Sequence, residues 1–312
     1  MEKQRPKKLI TKKINRFFTL LCSWGVLFSC GSITVHKPEA STQKKSSQKT
    51  ITVAKNILSE SFEIVTGKVR LITLDKLSVL EKLKVVCRGK EIPHFIDQGF
   101  LKFYLSENYY AGSGSFGCVV LSSGQKIRIV NINVRLGKYK QEKLNVDKKR
   151  VVLSPKDARR AVKEGKILKK IYSRSSKSPL FSTPFMIPLD SYVTSHYGTK
   201  RIYNDHKHSA HLGTDFRAKV GVPIRISNSG RVVFAGDLFF TGGTVIIDHG
   251  LNIFSFYGHL SKISVEAGVY LPKKALVGKS GKSGRVSGPH LHWGVKVNGK
   301  KIDGMSLVEA RI

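Results

Sequence analysis

Residues 290–297 read His-Leu-His-Trp-Gly-Val-Lys-Val, and every second residue is a large apolar one. In a β-strand, successive side chains point to opposite faces. His290 and His292 are therefore predicted to share one open face of a strand, while the apolar side chains form the core face. An amphipathic strand with two incidental histidines would give the same pattern. The alternation thus predicts a half-buried strand, but it does not establish a site alone.

The histidines are unevenly distributed, because eight of the ten lie after residue 195. His211 and Asp215 lie four residues apart in His-Leu-Gly-Thr-Asp, and Gly213 between them allows a close approach of the backbone. His259 lies between this segment and the predicted strand. Neutral imidazole and carboxylate groups hold catalytic zinc, usually three from the protein with one position left for water. The pattern predicts a zinc site with additional histidines nearby.

Spacing alone does not fix the ligand set. His206 and His208 also offer imidazoles beside His211. His249 lies at a turn in Ile-Asp-His-Gly and is interpreted as structural. His94 is expected to be a surface or core residue without a functional role.

The N-terminal thirty residues indicate export. Residues 1–16 carry seven Lys and Arg against one Glu, and residues 17–29 are apolar and nearly uncharged. That run is too short to span a bilayer as a helix, but it fits the apolar region of a signal peptide. It ends in Leu-Phe-Ser-Cys-Gly, which resembles a bacterial lipobox with Cys30 as the residue to be lipidated. A chance apolar stretch or a single membrane anchor is the alternative.

The formal net charge of +34 predicts a surface that attracts polyanions. Nucleic acid, anionic lipid and acidic wall polymer all fit the charge alone. Because an exported chain meets the envelope, we predict anionic envelope polymers as partners and no nucleic acid. Residues 31–50, rich in Ser, Thr, Lys and Gln, are predicted to form a flexible tether.

Short β-branched and aromatic runs separated by Gly and Ser turns predict a mainly β chain. Residues 51–150 are expected to form a small β-sandwich-like domain. A Ser-Pro-Lys-Asp start at residue 154 predicts a connecting helix over about 155–172, within a linker of residues 151–184. Residues 185–312 are expected to form a second, antiparallel β domain.

The four cysteines are expected to have three different roles. Cys22 would leave with the signal peptide of residues 1–30, and Cys30 would carry lipid. Cys87 and Cys118 both lie in strand-like contexts, in a compartment where disulfides form. Either a Cys87–Cys118 disulfide or two buried free thiols would fit.

Residues 185–308 resemble the lysostaphin/LytM-type zinc metallopeptidases, which cleave peptidoglycan peptides. The matching segments occur in the family's order and are residues 194–198, 211–215, 230–236, 243–250, 257–260 and 284–294. The resemblance implies an antiparallel β peptidase domain, the duplicated hybrid motif, with the metal in a groove. Asp303-Gly304 and residues 268–271 depart from the family's pattern, which puts loop shape and substrate preference in doubt more than activity.

Carried over by position, the resemblance implies one zinc ion held by His211, Asp215 and His292. It places two catalytic histidines that are not ligands at His259 and His290. We favour His290 as the general base that takes a proton from water and returns it to the leaving amine. His259 would then stabilise the oxyanion or the substrate, although the sequence does not separate the two roles.

The resulting hypothesis is an exported zinc metallo-endopeptidase that hydrolyses peptidoglycan stem or cross-bridge peptides. It would act in the cell envelope, in the periplasm or as an outer-membrane-attached lipoprotein. The main alternative is a non-catalytic envelope adaptor or amidase activator on the same fold, but such relatives typically lose zinc ligands and all five expected positions are filled here. A wall-binding module with structural zinc would need His206 or His208 to close the fourth metal position.

Overall fold

The computed structural model describes residues 57–76, 81–144, 153–203 and 207–310. The predicted signal peptide with Cys30, the predicted tether of residues 31–50 and His206 lie outside the described residues. No helix in the described part of the chain has the length and apolar character needed to cross a membrane.

Strands dominate the described residues, as predicted from the sequence. Nine described strands precede the long helix: β1 Leu58–Val65, β2 Val69–Leu74, β3 Leu83–Cys87, β4 Lys90–Ile92, β5 Phe95–Asp97, β6 Phe100–Ser106, β7 Gly114–Ser122, β8 Gln125–Arg135 and β9 Gln141–Leu144. Thirteen described strands follow it: β10 Val193–Ser195, β11 Lys200–Tyr203, β12 Lys207–Ala210, β13 Thr214–Arg217, β14 Pro223–Arg225, β15 Gly230–Leu238, β16 Gly242–Asp248, β17 Ile253–Leu260, β18 Lys262–Ile263, β19 Tyr270–Leu271, β20 Leu276–Lys279, β21 His290–Val297 and β22 Lys300–Ile302. The helices in the described ranges are α1 Pro155–Ile171 and α2 Gly304–Glu309.

Eight of the nine described N-terminal strands form two sheets around one hydrophobic core, while β9 pairs with β11. A five-stranded sheet has the order β1-β8-β7-β3-β4, and a three-stranded sheet has the order β2-β6-β5. Apolar side chains from both sheets share the core, among them Ile72, Phe103, Val120 and Ile132. This is the sandwich-like arrangement that the sequence predicted, although β1 pairs with β8 in parallel.

Cys87 and Cys118 form a disulfide between β3 and β7. The two cysteines lie directly opposite each other in the register of these antiparallel strands. Of the two states that the sequence left open, the structure therefore has the bridged one.

Eight of the thirteen described C-terminal strands form an antiparallel sheet in the order β10-β13-β21-β17-β16-β15-β19, with β22 paired to β21. The other five belong to two three-stranded sheets, β12-β11-β9 and β14-β20-β18. Strand β21 has the predicted bounds, His290–Val297. Its core face is buried as predicted, and consists of Leu291, Trp293, Val295 and Val297. Because β13 and β17 flank β21, side chains from three neighbouring strands can converge on its open face.

Helix α1 begins and ends close to the predicted positions. The Ser154 side chain accepts a hydrogen bond from the Asp157 amide at 3.1 Å, and Pro155 occupies the first turn. One face of α1 turns towards the C-terminal sheet, where the Tyr172 ring that follows the helix packs edge-on against Phe254 at 5.1 Å. None of the helix residues is fully buried.

The division into domains near residues 150 and 185 stays a prediction. All described residues belong to one compact unit. The core beneath the C-terminal sheet also includes Val69 and Tyr104 of the N-terminal strands. In addition, the Ser106 hydroxyl donates to the Val297 carbonyl at 2.8 Å. The two sets of strands are therefore joined by shared packing and hydrogen bonds.

Candidate metal centre

The three residues predicted as zinc ligands come together where β13 pairs with β21. Asp215 of β13 lies directly opposite His292 of β21 in the strand register. His211 lies in the turn that leads into β13, four residues before Asp215. One ligand atom from each of the three lies within 4.8 Å of the others. The structure therefore assembles the predicted set, while its role in binding metal stays a prediction.

The protonation of His211 indicates what this set of atoms can hold. Its Nδ1 lies 3.3 Å from the His196 carbonyl oxygen, which can only accept, so a neutral ring carries its proton on Nδ1. Its Nε2 lies 3.1 Å from Oδ1 of Asp215. Two such acceptor atoms lie this close when either a proton or a metal ion lies between them. This mixture of imidazole and carboxylate suits zinc.

Gly213 makes room for the His292 ring. A Cβ atom at position 213 would lie only 2.4 Å from Cε1 of His292. The close backbone approach that the sequence indicated at this glycine is therefore an approach to the imidazole of a candidate ligand. Any side chain here would displace the ring.

Asp215 is buried, but it remains ionised. Burial raises the pKa of this carboxyl group, while the neighbouring His211 and His292 rings lower it by more, to well below its usual range. Its Oδ1 lies 2.7 Å from Nδ1 of His292. Its Oδ2 lies 3.9 Å from the Arg201 guanidinium. The aspartate is thus held as an anion between imidazoles and a cation.

Arg201 and Ser195 form a chain of polar contacts that supports the His211 ring. Arg201 donates to the Ser195 hydroxyl at 2.9 Å, and that oxygen lies 3.1 Å from Nδ1 of His211. Ser195 belongs to a segment that matched the family, so its position could have been found from the sequence. Arg201 was missed, because nothing distinguishes it among the 55 Lys and Arg residues of the chain.

The two predicted catalytic histidines lie beside the candidate ligands. Nδ1 of His290 donates to the Gly288 carbonyl at 3.0 Å, and its Nε2 lies 3.6 Å from Oδ1 of Asp215. Nδ1 of His259 donates to the Ser283 carbonyl at 2.8 Å. The His259 and His290 rings are 4.7 Å apart. In both neutral rings the carbonyl partner fixes the proton on Nδ1 and leaves Nε2 as an acceptor.

His259 has an unusual backbone and a shifted pKa. Its φ of +61° lies in the left-handed region, which non-glycine residues rarely adopt and which occurs at functional sites. Its amide donates to the Thr241 carbonyl at 2.7 Å. Burial lowers the pKa of His259 to about 4, and the hydrogen bond to Ser283 opposes this only in part. The ring is therefore neutral at pH 7.

His249 lies in the core rather than at the candidate centre, in agreement with its interpretation as structural. Its Nδ1 lies 2.8 Å from the Ser229 carbonyl, and its Nε2 lies 2.7 Å from the Ser255 hydroxyl. Burial lowers its pKa to about 4. His94, also expected to lack a functional role, contacts the Ile92 carbonyl at 3.3 Å in the N-terminal strands.

The buried His249 predicts a loss of stability in acid. Between pH about 6.5 and 4 the unfolded chain binds a proton at His249 that the folded chain does not, so stability is complete above this window and falls within it. The cost is about 1.4 kcal/mol per pH unit, and about 3 kcal/mol over the window. Urea unfolding at pH 7, 6, 5 and 4.5 measures it. His249→Gln should be less stable at pH 7 but lose less stability in acid, and equal slopes for the two proteins would contradict the prediction.

Comparisons with known proteins agree with this geometry. Residues 209–304 match the sequence model of peptidase family M23. The peptidoglycan DD-endopeptidase ShyA of Vibrio cholerae serotype O1 is 37% identical over 121 residues, which are 38% of this chain and 28% of ShyA. Lysostaphin of Staphylococcus staphylolyticus is 37% identical over 91 residues, which are 28% of this chain and 19% of lysostaphin. The chain thus matches less than a third of the length of each of these relatives.

A solved structure extends the likeness beyond the matched domain. The crystal structure of a putative peptidase M23 from Pseudomonas aeruginosa is 26% identical, with a TM-score of 0.63. The superposition covers 79% of this chain and 95% of that one, so it includes much of the N-terminal strands as well. The chain therefore contains a domain, residues 209–304, that matches peptidase family M23, and its sequence resembles the LytM/lysostaphin type.

Proposed function

We propose that this protein is a zinc metallo-endopeptidase that hydrolyses peptide bonds in peptidoglycan stem or cross-bridge peptides. The observation that carries the proposal is the convergence of His211, Asp215 and His292, whose ligand atoms lie within 4.8 Å of one another. Two more histidines adjoin this set. The matched relative ShyA is named a peptidoglycan DD-endopeptidase, which supports the same substrate class here.

His211, Asp215 and His292 would hold the zinc ion. When bound, zinc makes water nucleophilic at neutral pH and polarises the scissile carbonyl. Gly213 and the Ser195–Arg201 pair keep the two imidazoles in position. Such supporting contacts fix the ring orientation and the tautomer of histidine ligands.

His290 is proposed as the general base. Its neutral ring offers Nε2 as a proton acceptor, and the Asp215 carboxylate at 3.6 Å stabilises the imidazolium that forms. The same group can then return the proton to the leaving amine. The hydrogen bond from Nδ1 to the Gly288 carbonyl keeps the ring in place through both transfers.

His259 is proposed to bind the substrate rather than to act as a cation. Stabilising an oxyanion would require a proton on Nε2, and the neutral ring already uses its proton on the Ser283 carbonyl. Burial disfavours a second proton, since it lowers the pKa to about 4. A neutral Nε2 can instead accept a hydrogen bond from a peptide N–H of the substrate. Of the two roles predicted for His259, the geometry favours the substrate stabiliser.

The location and wider partners remain proposals from the sequence. Export to the envelope, lipidation at Cys30 and attraction to anionic envelope polymers are supported by the N-terminal pattern and the charge of +34. The named relative acts on peptidoglycan, which lies in the envelope. The adaptor or amidase-activator alternative is less favoured, because a protein without catalysis has no need of the complete set of five residues.

A digest of purified, cross-linked sacculi tests the proposed activity. Zinc-loaded wild type and His290→Ala would be incubated with sacculi, and the released muropeptides resolved by mass. We expect new peptide ends with wild type only, and their masses would identify the bond that is cut. Zinc-loaded wild type that binds sacculi but releases no product would instead favour the adaptor.

A further inference from the structure

A cavity of about 320 Å³ lies between helix α1 and the open face of β21, beside the candidate metal centre. His292 and Gly294 of β21 line one side of it. Glu164 and Leu168 of α1 line the other side, followed by Tyr172. This volume is within the range of pockets that bind small ligands. Since His292 belongs to the wall, a peptide bound at the metal centre can reach directly into this space.

The helix is held over the cavity without filling it. Arg160 donates to Asp237 at 2.7 Å, and the Glu164 carboxylate accepts from the Phe239 amide at 2.9 Å. Glycine is unfavourable inside a helix, yet Gly165 lies on the wall of the cavity, and a Cβ atom there would meet nothing within 4 Å. A larger residue at position 165 would fill part of the cavity and would also favour the helix, yet the sequence has glycine there.

The charges around the cavity favour an anion. Glu164 is already paired, because Arg160 donates to its other oxygen at 2.7 Å. Lys296, four residues along β21 from His292, lies over the Tyr172 ring with Nζ 4.1 Å from the ring centroid. Among the described residues no carboxylate forms an ion pair with Lys296. Lys301 lies directly opposite it in the strand register and also lines the cavity.

Lys296 is half-buried, and its environment destabilises its charge. Burial lowers the pKa of this ammonium group, and the neighbouring Lys301 lowers it further. The rest of the wall is largely apolar and includes Phe240 and Phe256. A ligand with an aliphatic part and a negatively charged end therefore matches both kinds of surface, since its charge would lie beside two lysines.

We propose that this cavity is a subsite for a carboxylate-bearing residue of the peptide substrate, bound through Lys296. The proposal rests on the proposed function, because it assumes that a peptide is cleaved at the adjacent metal centre. A stem peptide offers two sources of carboxylate, its C-terminus and its side chains. Both present the same chemistry to Lys296, and α1 forms the wall that retains the aliphatic part.

Steady-state kinetics with the full zinc-loaded chain test the subsite. The substrates are soluble cross-linked muropeptide dimers with all carboxylates free, with the C-terminus amidated, or with the side-chain carboxylates amidated. We expect amidation of the bound carboxylate to raise KM on the order of tenfold, as for loss of one charge-assisted hydrogen bond. The amide that weakens binding identifies the source of the carboxylate.

Variants separate the subsite from the catalytic centre. Lys296→Gln should raise KM for the free-carboxylate dimer about tenfold with kcat unchanged, and should abolish the discrimination against the amide. Lys296→Arg should retain most of the discrimination between the free-carboxylate dimer and its amide. Lys126→Gln, at an exposed lysine of β8, is the matched control and should change neither constant.

Filling the cavity provides a second test. Gly165→Leu should raise KM for every dimer without lowering the unfolding temperature, because leucine favours a helix more than glycine does. Equal kinetics of wild type on acids and amides, or unchanged discrimination in Lys296→Gln, would overturn the subsite while the proposed function stands. Failure of wild type to cleave any dimer would overturn the proposed function and the subsite with it.

Discussion

Replacement of Asp215 by alanine is expected to remove zinc binding and peptidase activity together. Oδ1 of this residue lies 3.1 Å from Nε2 of His211 and 2.7 Å from Nδ1 of His292, so it is the atom that the other two candidate ligands share. Without it, two neutral imidazoles 3.2 Å apart remain, and they carry no charge to offset that of the ion. We expect kcat/KM to fall by more than about 10³, since zinc is what makes water nucleophilic at neutral pH.

Zinc content per chain, measured by atomic emission after dialysis, would be compared with turnover of cross-linked muropeptide dimers. Asp97→Ala is a matched control, because that carboxylate is paired with Lys102 at 2.7 Å and lies in β5 among the N-terminal strands. It should keep one zinc ion and full activity. One zinc ion in Asp215→Ala at wild-type affinity would show that the aspartate is not a ligand.

The part of the site that lies on β21 could be predicted because strand periodicity is local. Alternation over residues 290–297 assigns each side chain to a face before any partner strand is known. The pairing of Asp215 with His292 is different, since it depends on the register of β13 against β21. The resemblance to a family supplied that pair, and spacing alone had left His206 and His208 as competitors of His211.

Features that depend on distant pairing were missed or left open by the sequence analysis. The pairing of β1 with β8 in parallel joins residues about seventy positions apart, and the cysteine pair depends on the register of β3 against β7. The cavity beside His292 lies between α1 and β21, where Tyr172, just beyond the helix, packs on Lys296. The sequence predicted α1 as a connecting helix from its start signal, and that signal did not indicate which surface the helix would cover.

Alanine at His290 and alanine at His259 are expected to lower activity while zinc stays bound, but in different ways. Loss of the general base at His290 should reduce kcat by about 10²–10⁴-fold. Loss of His259 should raise KM as well, because its neutral Nε2 is proposed to accept a hydrogen bond from the substrate. His94→Ala is the matched control, since that imidazole lies in the N-terminal strands and should leave both constants unchanged.

The dependence of kcat/KM on pH separates the two histidines further. A proton acceptor must be neutral, so activity falls as the pH drops through its pKa. With a pKa of about 4, His259 is neutral throughout pH 5–8, and His259→Ala should therefore keep the shape of the wild-type profile in that window. Any acid limb that wild type shows should be absent in His290→Ala, because that variant lacks the proposed proton acceptor. Zinc content would be measured at each pH to exclude release of the metal. An acid limb that shifts in His259→Ala but persists in His290→Ala would reverse the two roles.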